Sequence, residues 1–208
     1  MKLSHTIGAM LNDILAKLSI ASGLVLVFMA NSFALDSETT NYASQKLDSA
    51  LNFEFTQAGA TSRGLFPEFT TQIELANDTF RPHFLEVVIG IAAINTNDEE
   101  RDELLRGEDF FHSAEFSQAR YVATKFSLQG QNYIAEGQLT IRGITRPLNL
   151  PFELKLNKLD KSMRGQMKGE VVINRLDFGI GQGDWTSTTW VGNEVKVIFK
   201  LSLKASSS

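Results

Sequence analysis

The sequence contains no cysteine and only three histidines in 208 residues. Without cysteine the chain forms no disulfide, carries no thiolate zinc site and has no N-terminal cysteine for a lipid anchor. The histidines, His5, His83 and His112, do not stand at the spacing of a metal-binding pair, and no Gly-x-Ser-x-Gly elbow of a serine hydrolase is present. We therefore expect no metal, no resident cofactor and no catalytic residue of these kinds.

An excess of basic residues is also lacking. The chain has 20 lysines and arginines against 24 aspartates and glutamates, so its net charge is −4. Proteins that bind nucleic acids or anionic membrane surfaces need clustered positive charge. The composition argues against both kinds of partner.

An uncharged run near the N-terminus, Leu18 to Ala30, has 13 residues. A transmembrane helix needs about 20. Lys2 and Lys17 precede the run and Ser32-Phe33-Ala34 follows it, which is the pattern of a secretory signal peptide. We predict a signal peptide at residues 1–34, a mature domain at residues 35–208 that begins at Leu35, and a periplasmic location. The alternatives are an uncleaved signal anchor or, because Asp13 interrupts the segment, an amphipathic helix of the domain.

The mature sequence alternates apolar and polar residues, which is the period of a strand with one buried face. Short turn-forming stretches separate the alternating runs, so neighbouring strands are antiparallel. We predict an all-β fold, an eight-stranded antiparallel up-and-down barrel of lipocalin-like shape. The strands contain Leu51–Phe55, Phe69–Leu75, Leu85–Ile91, Ala119–Leu128, Asn132–Gly143, Leu148–Leu156, Met163–Arg175 and Val195–Leu203.

One segment breaks this period. Asn95 to Glu100 supplies a capping side chain and acidic first-turn residues, and Gly107 is a stop signal. We predict a short helix from Asp98 to Arg106 between strands 3 and 4, across one end of the barrel. Residues 177–191 are predicted to form a long loop.

Three ordered motifs resemble one family. They are Arg101-Asp102-x-x-Leu105-Arg106-x-x-Asp109-Phe110-Phe111, the stretch from Gly137 to Pro147, and Asn174-Arg175-x-Asp177-Phe178-Gly179-Ile180. Together they are similar to the YceI-like family, over about residues 42–204. The resemblance implies a periplasmic lipocalin-like barrel that binds long isoprenoids, either polyprenyl phosphates or quinones. It also suggests a membrane redox partner of the cytochrome type, and it leaves a homodimer open.

The size of the inward residues decides whether such a barrel is filled or holds a slender ligand. Gly137, Gly143, Gly165 and Gly169 share the alternating face, where they either leave a cavity or allow sharp bending. We nominate as cavity wall ten residues chosen by alternation: Phe53, Phe55, Phe66, Phe69, Tyr121, Leu139, Met167, Ile173, Phe178 and Phe199.

Charged residues gather around the predicted helix. Arg101 and Arg106 are candidates to contact an anionic or carbonyl headgroup at the barrel mouth. The alternative is a solvated helix face on which Asp98 and Asp102 pair with the two arginines.

Two functions from different classes follow. The first is a non-catalytic carrier that holds an isoprenoid lipid, with or without a membrane protein to which it hands a quinone. The second is a hydrolase or isomerase that uses paired carboxylates, such as Asp109 and Asp177, on an isoprenoid-type lipid.

Overall fold

The computed structural model describes residues 38–159 and 162–206, and the predicted signal peptide lies outside them. The described part consists of strands, short 3-10 turns and a single α-helix, α1, at Glu99–Arg106. The strand segments are β1 (Thr39–Ser44), β2 (Ala50–Gln57), β3 (Ala60–Leu65), β4 (Phe69–Ala76), β5 (Pro82–Gly90), β6 (Gln118–Gln129), β7 (Asn132–Ile141), β8 (Ile144–Leu159), β9 (Ser162–Asn174) and β10 (Val191–Ala205).

The segments form one closed antiparallel sheet. Each strand from β5 to β10 pairs with the strand before it. β10 also pairs with both β2 and β1. β1 pairs with β4 and β2 pairs with β3, so these four segments are the two halves of one long, bent hairpin. When β1 with β2 and β3 with β4 are each counted as one strand, the barrel has eight strands. The predicted fold is confirmed.

The bend in the first hairpin falls where β1 ends. A 3-10 turn at Lys46–Asp48 separates β1 from β2. At the last residue of β1, before this turn, the hydroxyl of Ser44 accepts a hydrogen bond from the backbone N–H of Thr71 at 3.1 Å. A serine side chain thus supplies a hydrogen bond at the point where the ladder between β1 and β4 stops.

Helix α1 forms where the sequence predicts it. The Asp98 side chain accepts a hydrogen bond from the Arg101 N–H at 3.1 Å, and the Gly107 N–H closes the C-terminal end on the Leu104 carbonyl. The helix lies between β5 and β6, which are the third and fourth strands of the barrel once the bent hairpin is counted as two.

The barrel interior has two different halves. The half near the β4–β5 and β6–β7 turns is filled by side chains with almost no exposed surface. They are Tyr42, Ile73, Leu75, Leu85, Phe152 and Leu203. The other half, beneath α1, contains a cavity.

Candidate functional site

The cavity has a volume of about 180 Å³ and a wall that is almost entirely apolar. Inward residues of the strands line it, because alternation puts every second side chain of each strand inside. Arg101, Leu104 and Leu105 of α1 line it from above. The strand residues on its wall include Leu51, Phe53, Phe55, Val87, Ile89, Ala119, Leu139, Ile141, Leu150, Val171, Val195, Val197, Phe199 and Leu201.

Two connected segments cover the mouth. The rings of Phe110, after α1, and Trp185, in the loop before β10, lie with their centroids 5.3 Å apart. The carbonyl of Asp109 accepts hydrogen bonds of 2.7 Å from the N–H groups of Gly181 and Gln182. Helix α1 and the β9–β10 loop are therefore joined into one cap.

The floor of the cavity is a row of paired residues. Thr71, Val87, Tyr121 and Leu139 stand opposite one another on β4 to β7 and all line the cavity. Two residues further along β4, Ile73 is fully buried in the filled half. The cavity therefore ends at the level of Thr71.

Three glycines let aromatic rings lie flat against the barrel wall. A Cβ at Gly64 would come within 2.3 Å of Phe53, one at Gly137 within 2.6 Å of Tyr121, and one at Gly169 within 2.6 Å of Phe199. Any side chain at these positions would push the ring toward the lumen. At Gly137 and Gly169 a Cβ would also come within 2.5 Å of the Val122 carbonyl oxygen and 2.3 Å of the Pro151 carbonyl oxygen on the neighbouring strands, so these two glycines allow the close approach of strands that bending requires and do not leave open space. Gly143, with a φ of +71°, serves the turn between β7 and β8.

Nine of the ten residues nominated as cavity wall do line the cavity. Phe178 is buried, at 4% exposed, but is not on the wall. The strand β9 ends at Asn174, and the 3-10 turn at Arg175–Phe178 interrupts the alternation on which that nomination depended. The role of all ten in holding a ligand stays a prediction.

The two headgroup candidates are placed differently. Arg101 lines the cavity and donates to Thr96 Oγ1 at 2.9 Å, to the Thr96 carbonyl at 3.1 Å and to Gln57 Oε1 at 3.1 Å. Arg106 instead donates to the exposed carboxylate of Glu99 at 2.6 Å and is not on the cavity wall. Its position does not support the predicted headgroup contact.

The burial of Asp102 contradicts the alternative that this helix face is solvated. Its side chain is 4% exposed and pairs with neither arginine in the way that alternative expects. Asp102 Oδ1 accepts from the Thr96 N–H at 2.8 Å and from the Thr96 hydroxyl at 2.5 Å. Because Thr96 in turn accepts from Arg101, Asp102 fixes the threonine that orients the cavity arginine.

Arg175 is a site residue that the sequence analysis did not nominate. It is 3% exposed, lines the cavity, and donates to five carbonyl oxygens: Gly192 at 2.9 Å, Ile180 at 2.7 Å, Trp185 at 2.7 Å, Val191 at 2.9 Å and Ser187 at 3.4 Å. Burial lowers the pKa of its guanidinium below the usual value. Arg175 is the first residue of the 3-10 turn after β9, and extending the alternation of Val171 and Ile173 by one step predicts its inward position from the sequence.

Two hydroxyls lie at the cavity floor. The Tyr121 hydroxyl has one proton to donate and lies 2.9 Å from the carbonyl oxygen of Ala135 and 3.1 Å from that of Leu148, and burial raises its pKa. Thr71 Oγ1 is, within residues 38–159 and 162–206, the one fully buried side-chain polar atom without a hydrogen-bond partner. A buried polar group left in that state costs about 1–3 kcal/mol.

The paired carboxylates of the enzyme hypothesis do not face the cavity. Asp109 and Asp177 both have exposed side chains, and neither lines it. Among the described residues there is no group of three or more acidic or histidine side chains that could hold a metal. No helix in that same part of the chain has both the length and the hydropathy needed to cross a membrane.

A family model for the YceI-like domain matches residues 42–203. The chain belongs to the YceI-like family. Among curated relatives, a UPF0312 protein of Photorhabdus laumondii is 32% identical over 91 residues, which cover 44% of this chain and 47% of the relative. A UPF0312 protein of Yersinia pestis is 39% identical over 70 residues, 34% of this chain and 36% of the relative. The matches thus span about half or less of these relatives.

Three solved structures have the same fold as this YceI-like chain. BcnA of Burkholderia cenocepacia superposes with a TM-score of 0.71 at 23% identity, covering 76% of this chain and 98% of BcnA. A YceI protein of Campylobacter jejuni gives 0.66 at 21% identity, covering 71% and 87%. A polyisoprenoid binding domain from Saccharophagus degradans gives 0.59 at 16% identity, covering 79% and 98%.

Proposed function

We propose that the protein is a non-catalytic periplasmic carrier that holds a long isoprenoid, a polyprenyl phosphate or a quinone, inside its barrel. The observation that carries this proposal is the apolar cavity of about 180 Å³ beneath α1. Membership of the YceI-like family and the fold shared with a polyisoprenoid binding domain support it.

The cavity is large enough for part of a prenyl chain. Engineered apolar cavities of about 150 Å³ bind benzene and exclude water. Each buried methylene contributes about 0.8 kcal/mol, so two isoprene units of ten carbons contribute about 8 kcal/mol before the cost of association. A micromolar complex needs about that much net free energy, so further contacts must offset the cost of association. A longer chain would extend past the cap.

The hydrolase or isomerase alternative receives less support from the geometry. The carboxylates proposed for it are exposed, and the described residues that line the cavity include no acidic residue. A membrane redox partner and a homodimer stay predictions of the sequence alone.

Phe53→Ala tests the carrier function directly. Phe53 lines the cavity and packs on Phe66, with ring centroids 5.0 Å apart. We expect the amount of isoprenoid that is extracted per folded protein, purified from its own host, to fall in this variant. Because the ring borders open space, the loss of stability should be below the 3–5 kcal/mol or so that a fully packed phenylalanine costs.

The matched control is Asn52→Ala, since Asn52 precedes Phe53 on β2 and faces outward. We expect it to keep the lipid content of the parent. Native mass spectrometry and solvent extracts give both readings. If the parent and both variants contain no isoprenoid or other apolar molecule, the carrier function is wrong.

A further inference from the structure

Positive charge is concentrated on the outer side of β8, β9 and β10. The alternation that places Met167 and Leu201 inside the barrel turns their neighbours Lys168 and Lys200 outward. We call this surface, together with the 3-10 turn beside β10, the basic face. Its exposed basic residues are Lys46, Lys155, Arg164, Lys168, Lys200 and Lys204, and its acidic residues are Asp48, Glu153 and Glu170.

Like charges stand directly opposite one another on the basic face. Lys168 of β9 is the cross-strand partner of Lys200 of β10, and Arg164 is the partner of Lys204. Directly opposed like charges destabilise a sheet. The fold therefore keeps a concentration of positive charge that works against its own stability.

The protein neutralises only part of this charge. Glu153 pairs with Lys155 at 2.5 Å and with Lys168 at 2.8 Å. In the part of the chain that the structure describes, no carboxylate forms an ion pair with Lys200 or Lys204. Charges more than about 8 Å away are largely screened at physiological ionic strength. The basic face is therefore locally positive, although the net charge of the chain is −4.

The 3-10 turn between β1 and β2 bulges out of the sheet beside β10. Ser44 pairs with Leu203 and Ala50 pairs with Lys200, so the five residues 45–49 stand opposite only two, residues 201 and 202. The surplus leaves the plane of the sheet, and Leu47 at its centre is 98% exposed. The other large exposed apolar side chains of the described residues are 39% to 67% exposed. Leu47 thus projects clear of the surface.

Hydrogen bonds to β10 hold both ends of this turn. The Gln45 N–H donates to the Ser202 carbonyl at 2.8 Å, and the Ser49 hydroxyl accepts from the Ser202 N–H at 3.0 Å. Ser202 lies between Lys200 and Lys204 on β10. The projecting leucine is therefore fixed at the edge of the basic face, next to two lysines without an acidic partner.

We propose that the basic face, with Leu47 at its edge, docks on an anionic lipid surface. The leucine enters the boundary between headgroups and acyl chains, and the lysines lay their stems along the surface with their ammonium groups at the lipid phosphates. An acidic protein would match the charge but not a single apolar side chain that projects beyond it. The inference does not depend on what the cavity holds, so its failure leaves the carrier function standing.

Vesicle flotation tests the docking. The protein purified from its own host is mixed with vesicles of equal parts phosphatidylcholine and phosphatidylglycerol, and separately with vesicles of phosphatidylcholine alone. We expect at least about tenfold stronger partition into the anionic vesicles, with an advantage that shrinks as salt is raised.

Lys200→Gln tests the charge. One basic residue near an anionic surface changes partition about fivefold, so this variant should bind the anionic vesicles about fivefold more weakly. Lys125→Gln is the matched control, because it removes the same charge from an exposed position on β6, four strands from β10 around the barrel. It should bind as the parent does. Lys200→Gln also relieves a like-charge pair, so unfolding would not account for its weaker partition.

Leu47→Ser tests the insertion. Loss of the apolar side chain should weaken partition into the anionic vesicles at least about fivefold. The matched control is Leu128→Ser, since Leu128 is 53% exposed on β6. It should leave partition unchanged.

Three results would overturn the proposal. The first is equal flotation with neutral and anionic vesicles, or none with either. The second is a loss in Lys125→Gln or Leu128→Ser as large as that in its counterpart on the basic face. The third is capture of the parent by immobilised polyglutamate as tight as by anionic vesicles, with Leu47→Ser unimpaired on both, which would assign the face to an acidic protein instead.

Discussion

Thr70 and Thr71 are neighbours on β4 with opposite surroundings. Thr71 is 3% exposed at the cavity floor, and its hydroxyl has no partner among the described residues. Thr70 points outward. The side chains are identical, so the difference in their environments can be measured by the same substitution at each.

We predict that Thr71→Val stabilises the ligand-free protein by about 1 kcal/mol, because valine has nearly the same shape and removes a buried unpaired hydroxyl. Urea unfolding should show a higher midpoint with an unchanged slope. Thr70→Val should change stability by less than about 0.5 kcal/mol. A destabilised Thr71→Val would show instead that the hydroxyl has a partner in solution.

At the scale of elements, the strands and α1 could be predicted because each carries its own local signal. Alternation marks the strands, and Asp98 with Gly107 marks the ends of the helix. The break between β1 and β2 could not be predicted, since it depends on β10 pairing with both segments. The burial of Asp102 could not be predicted either, because helical spacing does not show that Thr96 lies beneath it and leaves a solvated face as one of two alternatives.

Asp102 fastens α1 to the segment that precedes it. Its carboxylate accepts two hydrogen bonds from Thr96, one from a backbone N–H. We predict that Asp102→Ala destabilises the protein by about 1–3 kcal/mol, because a buried N–H loses its acceptor. It should also disturb the position of Arg101, because the Thr96 hydroxyl that accepts from Arg101 loses its own acceptor.

Glu103→Ala is the control on the adjacent, exposed position, and its effect on unfolding should stay within about 0.5 kcal/mol. Asp102→Asn keeps an oxygen that accepts from Thr96, so it should fall between the two. Thermal or urea unfolding of the three variants makes the comparison. Equal stability of Asp102→Ala and Glu103→Ala would mean that the buried carboxylate does not anchor the helix.

At the scale of the whole molecule, alternation predicts which residues point inward but not whether they fill the barrel. Leu201 and Leu203 both point inward from β10, at 3% and 0% exposed. Only Leu201 borders the cavity. The difference depends on packing across strands, such as Phe199 of β10 lying flat on Gly169 of β9, and so on contacts between residues distant in sequence.

We predict that Leu203→Ala and Leu201→Ala separate the two halves of the barrel. Leu203 is packed on all sides, so its truncation should cost about 2–5 kcal/mol and leave lipid binding per folded protein unchanged. Leu201 already faces open space on one side and makes fewer contacts there, so its truncation should cost less. That variant also enlarges the cavity, which should let it retain a bulkier or longer chain, as seen in the mass of the lipid in native mass spectrometry. Equal unfolding costs and identical bound lipid in the two variants would mean that the barrel is packed alike along its length, and the cavity beneath α1 would then not be the site of binding.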